Sequence, residues 1–154
     1  MGTSDFISID DSQWPLLVAR FVGQPSLQQQ EEHFSQLLGY LAREEKCVLI
    51  LDTRQVRMMT AEHRQKLTAF SRQYDALFRA RLLGCAAVIT SPLMQLAASL
   101  VLHFIPRPCP YFTTTSLPEA VKWTAKRLED AGHPLDAHRV QQHHGPVRTE
   151  QCAG

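Results

Sequence analysis

The chain has 154 residues, of which 44% are hydrophobic and 20% charged, with a formal net charge of +1. That composition suits one globular domain with a proper core, leaves no room for two, and lies far from the disordered regime. Near-neutrality excludes recruitment of nucleic acid by bulk charge, but the charge is uneven: residues 1–53 hold three Lys/Arg against eight Asp/Glu, and 54–81 hold seven against two.

In chain order, Phe6–Ile9 and Pro15–Val22 are two extended stretches, and the Asp-Asp-Ser-Gln between them has hairpin-turn composition. Pro25 and Ser26 open a helix with apolar residues at Leu27, Phe34, Leu37, Leu38 and Leu41, which keep one face at a period of 3.6. Cys47–Asp52 is a continuous apolar run ending in Asp, as expected of a strand buried on both faces. Thr60 is placed to cap a long amphipathic helix to about Arg81, with Leu67, Phe70, Tyr74 and Leu77 inward. Leu82–Thr90 is a second buried strand. Ser91-Pro92 supplies an N-cap and a first-turn proline for a helix that stops by Pro106. Tyr111–Thr115 is a short strand, and Ser116-Leu117-Pro118-Glu119 is a capping box opening a helix to about Asp130.

From Gly132 onward periodic apolar positions give way to His, Gln, Pro, Gly and Arg. The expected division is therefore an α/β domain over 1–131 and a disordered tail over 132–154. Strands alternating with helices imply a single layered domain. It should have a mostly parallel sheet of four to five strands, an antiparallel N-terminal strand and about four helices.

The segment Leu51-Asp52-Thr53-Arg54-Gln55-Val56-Arg57-Met58-Met59-Thr60-Ala61-Glu62, in that order of elements, resembles the STAS domains, the family of anti-sigma-factor antagonists and sulfate-transporter cytoplasmic domains, including the SpoIIAA-like antagonists. The resemblance spans roughly residues 14–130. It implies a buried strand running into Asp52, a short loop with Val56 and an apolar pair at Met58-Met59, then a helix. It also implies a non-enzymatic protein-interaction or regulatory role. Regulated members carry a phosphorylatable Ser at the start of that helix, whereas this chain reads Thr60-Ala61-Glu62-His63. Glu62 would offer a fixed negative charge favoured by the helix dipole, or serve only as a good first-turn residue.

Two surfaces are candidates for partner binding. One is basic: Arg57 in the loop, with Arg64, Arg72 and Arg79 at spacings of 8 and 7 along the helix. Such a stripe suits an acidic partner or is an ordinary solvated face. The other is the 92–105 helix, apolar almost all round, where Leu93, Met94, Leu100 and Phe104 exceed what one sheet-facing stripe needs. The expected partner-binding set is thus Arg57, Thr60, Glu62, Arg64, Arg72, Leu93, Met94, Leu100 and Phe104. The expected occupant is a protein partner or a second copy of the chain, and contact with a membrane surface through the same helix, beside Arg107, is the second reading.

No P-loop, G-x-G-x-x-G or G-x-S-x-G is present, and the seven glycines are unclustered. A small-molecule enzyme around Asp52 and Thr90 is the third reading, and neither a catalytic residue nor a cofactor is expected. His133, His138, His143 and His144 lack carboxylates or cysteines at ligand spacing, so no metal site is expected. Nucleic acid is not an expected partner, since no aromatics interleave the basic stripe. Cys47, Cys85, Cys109 and Cys152 form no C-x-x-C pair, the first residues lack the pattern of a signal peptide, and the Leu93–Ile105 run is too short to span a bilayer. A cytoplasmic setting follows as the expectation.

Overall fold

The computed structural model describes residues 5–144. The order is β1 (Phe6–Gln13), β2 (Leu16–Val22), α1 (Leu27–Leu41), β3 (Cys47–Gln55), α2 (Ala61–Gln73), α3 (Asp75–Arg81), β4 (Leu82–Val88), α4 (Pro92–Phe104), β5 (Tyr111–Thr114), α5 (Leu117–Asp130) and α6 (Pro134–His144). The sheet runs β1-β2-β3-β4-β5, so spatial order equals chain order. β1 is antiparallel to β2, and every other neighbouring pair is parallel. This is the expected layered α/β domain with a mixed five-stranded sheet.

Alternation along β3 divides the core. Val48 and Ile50, with Leu16, Ala86 and Val88 from the neighbouring strands, meet Val121, Ala125 and Leu128 of α5. Cys47 and Leu49, with Leu17, Ala19 and Cys85, face Phe34, Leu37, Phe70 and Phe78 of α1, α2 and α3. α4 joins this second side through Met94, which clusters with Val56, Ala87 and Ile89. α5 approaches β4 closely at Gly84, where a Cβ would stand 2.9 Å from Arg127 Cγ and 3.0 Å from the Trp123 ring.

Three local expectations change. β1 extends to Gln13 and the turn falls at Trp14-Pro15, because the edge strand tolerates Asp10, Asp11 and Ser12 by alternating outward exposure. The long helix expected over 60–81 breaks at Tyr74, whose φ −108°, ψ 19° lies outside the helical basin. That break turns α3 so that Phe78 reaches the Phe70 ring.

The third correction concerns the tail. Residues 134–144 are not disordered: they form α6, which packs on α5 and buries Ala137 and Val140 in the same cluster as Leu128. Its Arg139 also donates to the Trp14 carbonyl at 2.5 Å. Two apolar residues three apart were too few for a periodic signal, and the helix gains its stability from the partner helix. The rest of the expected tail, 145–154, lies outside the described residues. Truncation after Gly132 should therefore destabilise the domain by roughly 2–4 kcal/mol, the value of re-exposing about two buried apolar side chains. A urea titration of full-length and truncated protein checks this, and equal midpoints would refute it.

Candidate functional site

Polar ties fasten the ends of the helices in the outer layer. The Ser26 side chain and Gln29 form a capping box at α1. The Thr60 hydroxyl caps α2 by accepting from the His63 N–H at 3.2 Å, and it also bonds His63 Nδ1. His63 Nε2 donates to the Pro25 carbonyl at 2.9 Å, which leaves Nδ1 as the acceptor of the Thr60 proton. Gln30 Nε2 donates to the His63 carbonyl at 3.1 Å. These bonds fasten the start of α2 to α1. Ser91 does the same for α4: its Oγ accepts from the Met94 N–H and donates to the Arg57 carbonyl.

Most of the basic block is engaged within the domain. Arg54 donates from Nε and Nη2 to the two Asp52 oxygens at 2.9 and 2.8 Å, and Arg20 stands 3.9 Å from the same carboxylate. Arg72 directs Nε and Nη2 to the Phe104 carbonyl at 3.1 and 2.6 Å, closing the C-terminus of α4. Arg79 pairs with Asp75, Lys66 with Glu31, and Arg81 donates to the Leu41 carbonyl. The break at Tyr74 also separates Arg64 and Arg72 from Arg79. Of the expected basic contacts, Arg57 is exposed in the loop and Arg64 half-buried on α2, while Thr60 is committed to its cap and Glu62 is exposed in the first turn.

Asp52 is buried, with its side chain 3% exposed. Burial alone would push its carboxyl up. The hydrogen bonds from the Arg54 side chain and N–H, with the charges of Arg54 and Arg20, outweigh it and hold the group below its ordinary 3.8. Asp52 and both arginines lie on the α5 side of the sheet, away from α1–α4. This carboxylate orders the strand end.

α4 presents two different faces. Met94, Ala97 and Val101 are buried. Met94, expected among the outward residues, is therefore core: it lies one position round the helix from Leu93, and a helix apolar on all sides gives no rotational phase. Leu93 and Phe104 are each 56% exposed, Leu96 is 60% and Leu100 is 38%. Spaced 3, 4 and 4 apart, these four make one outward stripe, with Met58 of the loop between β3 and α2 also 47% exposed. Leu96 belongs to this surface although it was not among the expected site residues. Its spacing from Leu93 and Leu100 was the available signal.

Beneath α2 and α4 lies a cavity of about 230 Å³. Its floor is Leu49, Leu51, Ala87 and Ile89 of β3, β4 and the loop after β4, and its roof includes Phe70, Met94 and Ala98. Gln30 and His33 of α1 also line it. No sequence signal pointed to this feature, because it comes from the stand-off between two layers.

Cys47, Cys85 and Cys109 lie in the same cluster as free thiols. Burial, with the Cys109 charge second, pushes the Cys47 thiol up to about 12, and burial pushes Cys109 up to about 11. They stay protonated and unreactive at neutral pH. Among the described residues no group of three or more His, Cys, Asp or Glu is placed to hold a metal ion, and no helix is long and apolar enough to cross a membrane.

No protein-family model, no curated protein and no solved structure matches the chain.

Two pH windows follow. Burial pushes His33 down to about 4 from 6.5, so below pH 6.5 the unfolded chain binds a proton that the folded one refuses. Stability should fall between pH 6.5 and 4 by roughly 3 kcal/mol, a loss that His33→Phe removes. Asp52, depressed when folded, contributes stability that is complete above its ordinary value and lost as pH drops through the folded one. Asp52→Asn should cost about 1–3 kcal/mol near neutrality, a difference that shrinks as the pH falls below 3.8. Chemical denaturation across pH with both variants reads each window. Thr60→Ala should cost about 1 kcal/mol through the lost cap.

Proposed function

We propose that this chain is a non-enzymatic, STAS-like interaction domain that binds the apolar surface of a protein partner through the outer face of α4. The observation that carries the reading is the stripe Leu93, Leu96, Leu100 and Phe104, with Met58 as a further exposed apolar side chain nearby. Large apolar side chains grouped on one surface, rather than scattered singly, mark a contact site. Burying the half or so of each that is still exposed would contribute about 1 kcal/mol, so that several together offset the cost of association.

The helix is also well prepared for this task. Ser91 pairs a first-turn N–H and Arg72 a last-turn carbonyl, which helps hold both ends of the helix in place. Arg57, Arg107 and the Arg72 side chain lie close to its two ends. They favour a partner with acidic groups around an apolar centre. The absence of a regulatory Ser before Glu62 makes the contact constitutive in this reading. The free thiols of Cys47 and Cys85, both buried, and of Cys109, half-buried, suit a reducing, cytoplasmic setting.

Leu96→Glu and Phe104→Glu should abolish partner capture from a cell extract while leaving the melting temperature within a few degrees of wild type, whereas Met94→Glu should unfold the domain. Glu62→Ala should leave capture unchanged. Sedimentation at rising concentration separates a second copy of the chain from a different protein. Co-sedimentation with anionic vesicles separates a lipid surface from both, and vesicle binding lost in Leu96→Glu would replace the protein partner with a membrane.

A further inference from the structure

Gln30 and His33 are polar residues placed where an apolar core would ordinarily have hydrocarbon. They are 7% and 5% exposed and lie one turn apart on α1. Gln30 Oε1 and His33 Nδ1 are each buried without a hydrogen-bond partner. Leaving such a group unpaired costs free energy that an apolar side chain in the same place would not. The Gln30 amide is oriented by its bond from Nε2 to the His63 carbonyl, so Oε1 is the atom left over. His33 is wedged edge-on against Phe21 and beside Phe34, with ring centroids 5.2 and 6.0 Å away. Both side chains line the cavity under α2 and α4.

We infer that this cavity is a binding site for an uncharged, mainly hydrocarbon molecule carrying a hydroxyl group. The size follows from the volume: about 230 Å³ corresponds to roughly eight water-sized volumes of ~30 Å³, or a ligand of about eight to ten non-hydrogen atoms. The absence of charge follows from the wall. Among the described lining residues Arg107 is the one permanently charged side chain, and it is exposed. Burial keeps the interior titratable groups neutral: His33 down at about 4, Tyr111 up at about 12 and Cys109 at about 11. An ionic head inside would lose its hydration with no counter-charge. The hydroxyl follows from the unsatisfied atoms. Gln30 Oε1 only accepts, so a carbonyl or ether ligand leaves it unpaired. The neutral His33 ring nitrogen accepts or donates according to tautomer. A hydroxyl both donates and accepts, and so can pair with either atom.

This site is independent of the outer face of α4, since the helix meets the cavity through Met94, Ala98 and Val101 and solvent through Leu96 and Phe104. Calorimetric titration of the full chain with 1-octanol, octane and octanoate tests it. Saturable 1:1 binding of 1-octanol is expected, about five- to ten-fold tighter than octane, the range of one net hydrogen bond. His33→Phe and Gln30→Met should bring octanol down to the level of octane without loss of fold. Ala87→Leu or Ala98→Phe, which fill the cavity from floor and roof, should remove binding of every probe. Leu96→Glu should leave it intact. Binding that survives whichever filling variant folds would place the probe elsewhere and overturn the proposal, as would no saturable binding by wild type. Octanoate binding tighter than octanol, with the gain lost in Arg107→Gln, would overturn the uncharged class.

Discussion

β3 lies at the centre of the sheet with a strand on either side, so its two faces must both be covered, and the chain meets this demand with two layers built in different ways. On one side α5 rests directly on β3 and β4, helped by the missing side chain at Gly84, and α6 seals the remaining edge through Ala137 and Val140. On the other side the crossover helices do the covering. Successive parallel strands in chain order force α1, the α2–α3 pair and α4 onto one side if the connections keep a common hand. A single sheet face then has to accommodate several helices, and they cannot all lie on it equally closely.

α4 is the helix that shows this crowding. Its buried residues are Met94, Ala97 and Val101, so two of the three inward positions are small or flexible. Alanine draws a helix near without filling the space beneath it. Phe34 and Phe70 stack with centroids 4.0 Å apart and planes 3° from parallel, which ties α1 to α2 and sets the height of that part of the roof. With α2 held at the thickness of two aromatic rings, α4 beside it spans rather than fills the gap. The cavity and the exposed apolar stripe thus have one origin, a helix apolar on all sides whose inner residues only partly meet the sheet.

The sequence made the strands legible because a segment buried on both faces has to be continuously apolar, as in Cys47–Leu51 and Leu82–Ile89. It made the helix starts legible because Ser26, Thr60, Ser91 and Ser116 are all N-caps whose hydroxyls accept from the first-turn N–H groups. The break at Tyr74 carries no Gly or Pro and arises from the demand that Phe78 reach Phe70. α6 has only Ala137 and Val140 to mark its inner face, so its existence depends on α5 and is invisible to a local pattern. The orientation of α4 was equally hidden: Leu93 and Met94 are both apolar, and only the sheet decides which turns inward.

The basic block shows why a charge pattern alone does not locate a site. Seven cations over residues 54–81 suggest a surface for an anionic partner, yet five of them have structural partners in the fold. Two of those contacts are to backbone carbonyls, Arg72 to Phe104 and Arg81 to Leu41, where a guanidinium stands at the C-terminal end of a helix and offsets the partial negative charge there. A helix such as α4 that ends in the extended residue Ile105, without a glycine cap, leaves carbonyls unsatisfied, and Arg72 fills that role from a neighbouring element. The cation therefore serves the apolar surface indirectly: by holding the last turn of α4 in place, it keeps Phe104 aligned with Leu93, Leu96 and Leu100. The charges do not themselves form the contact surface; they hold the hydrocarbon one in position.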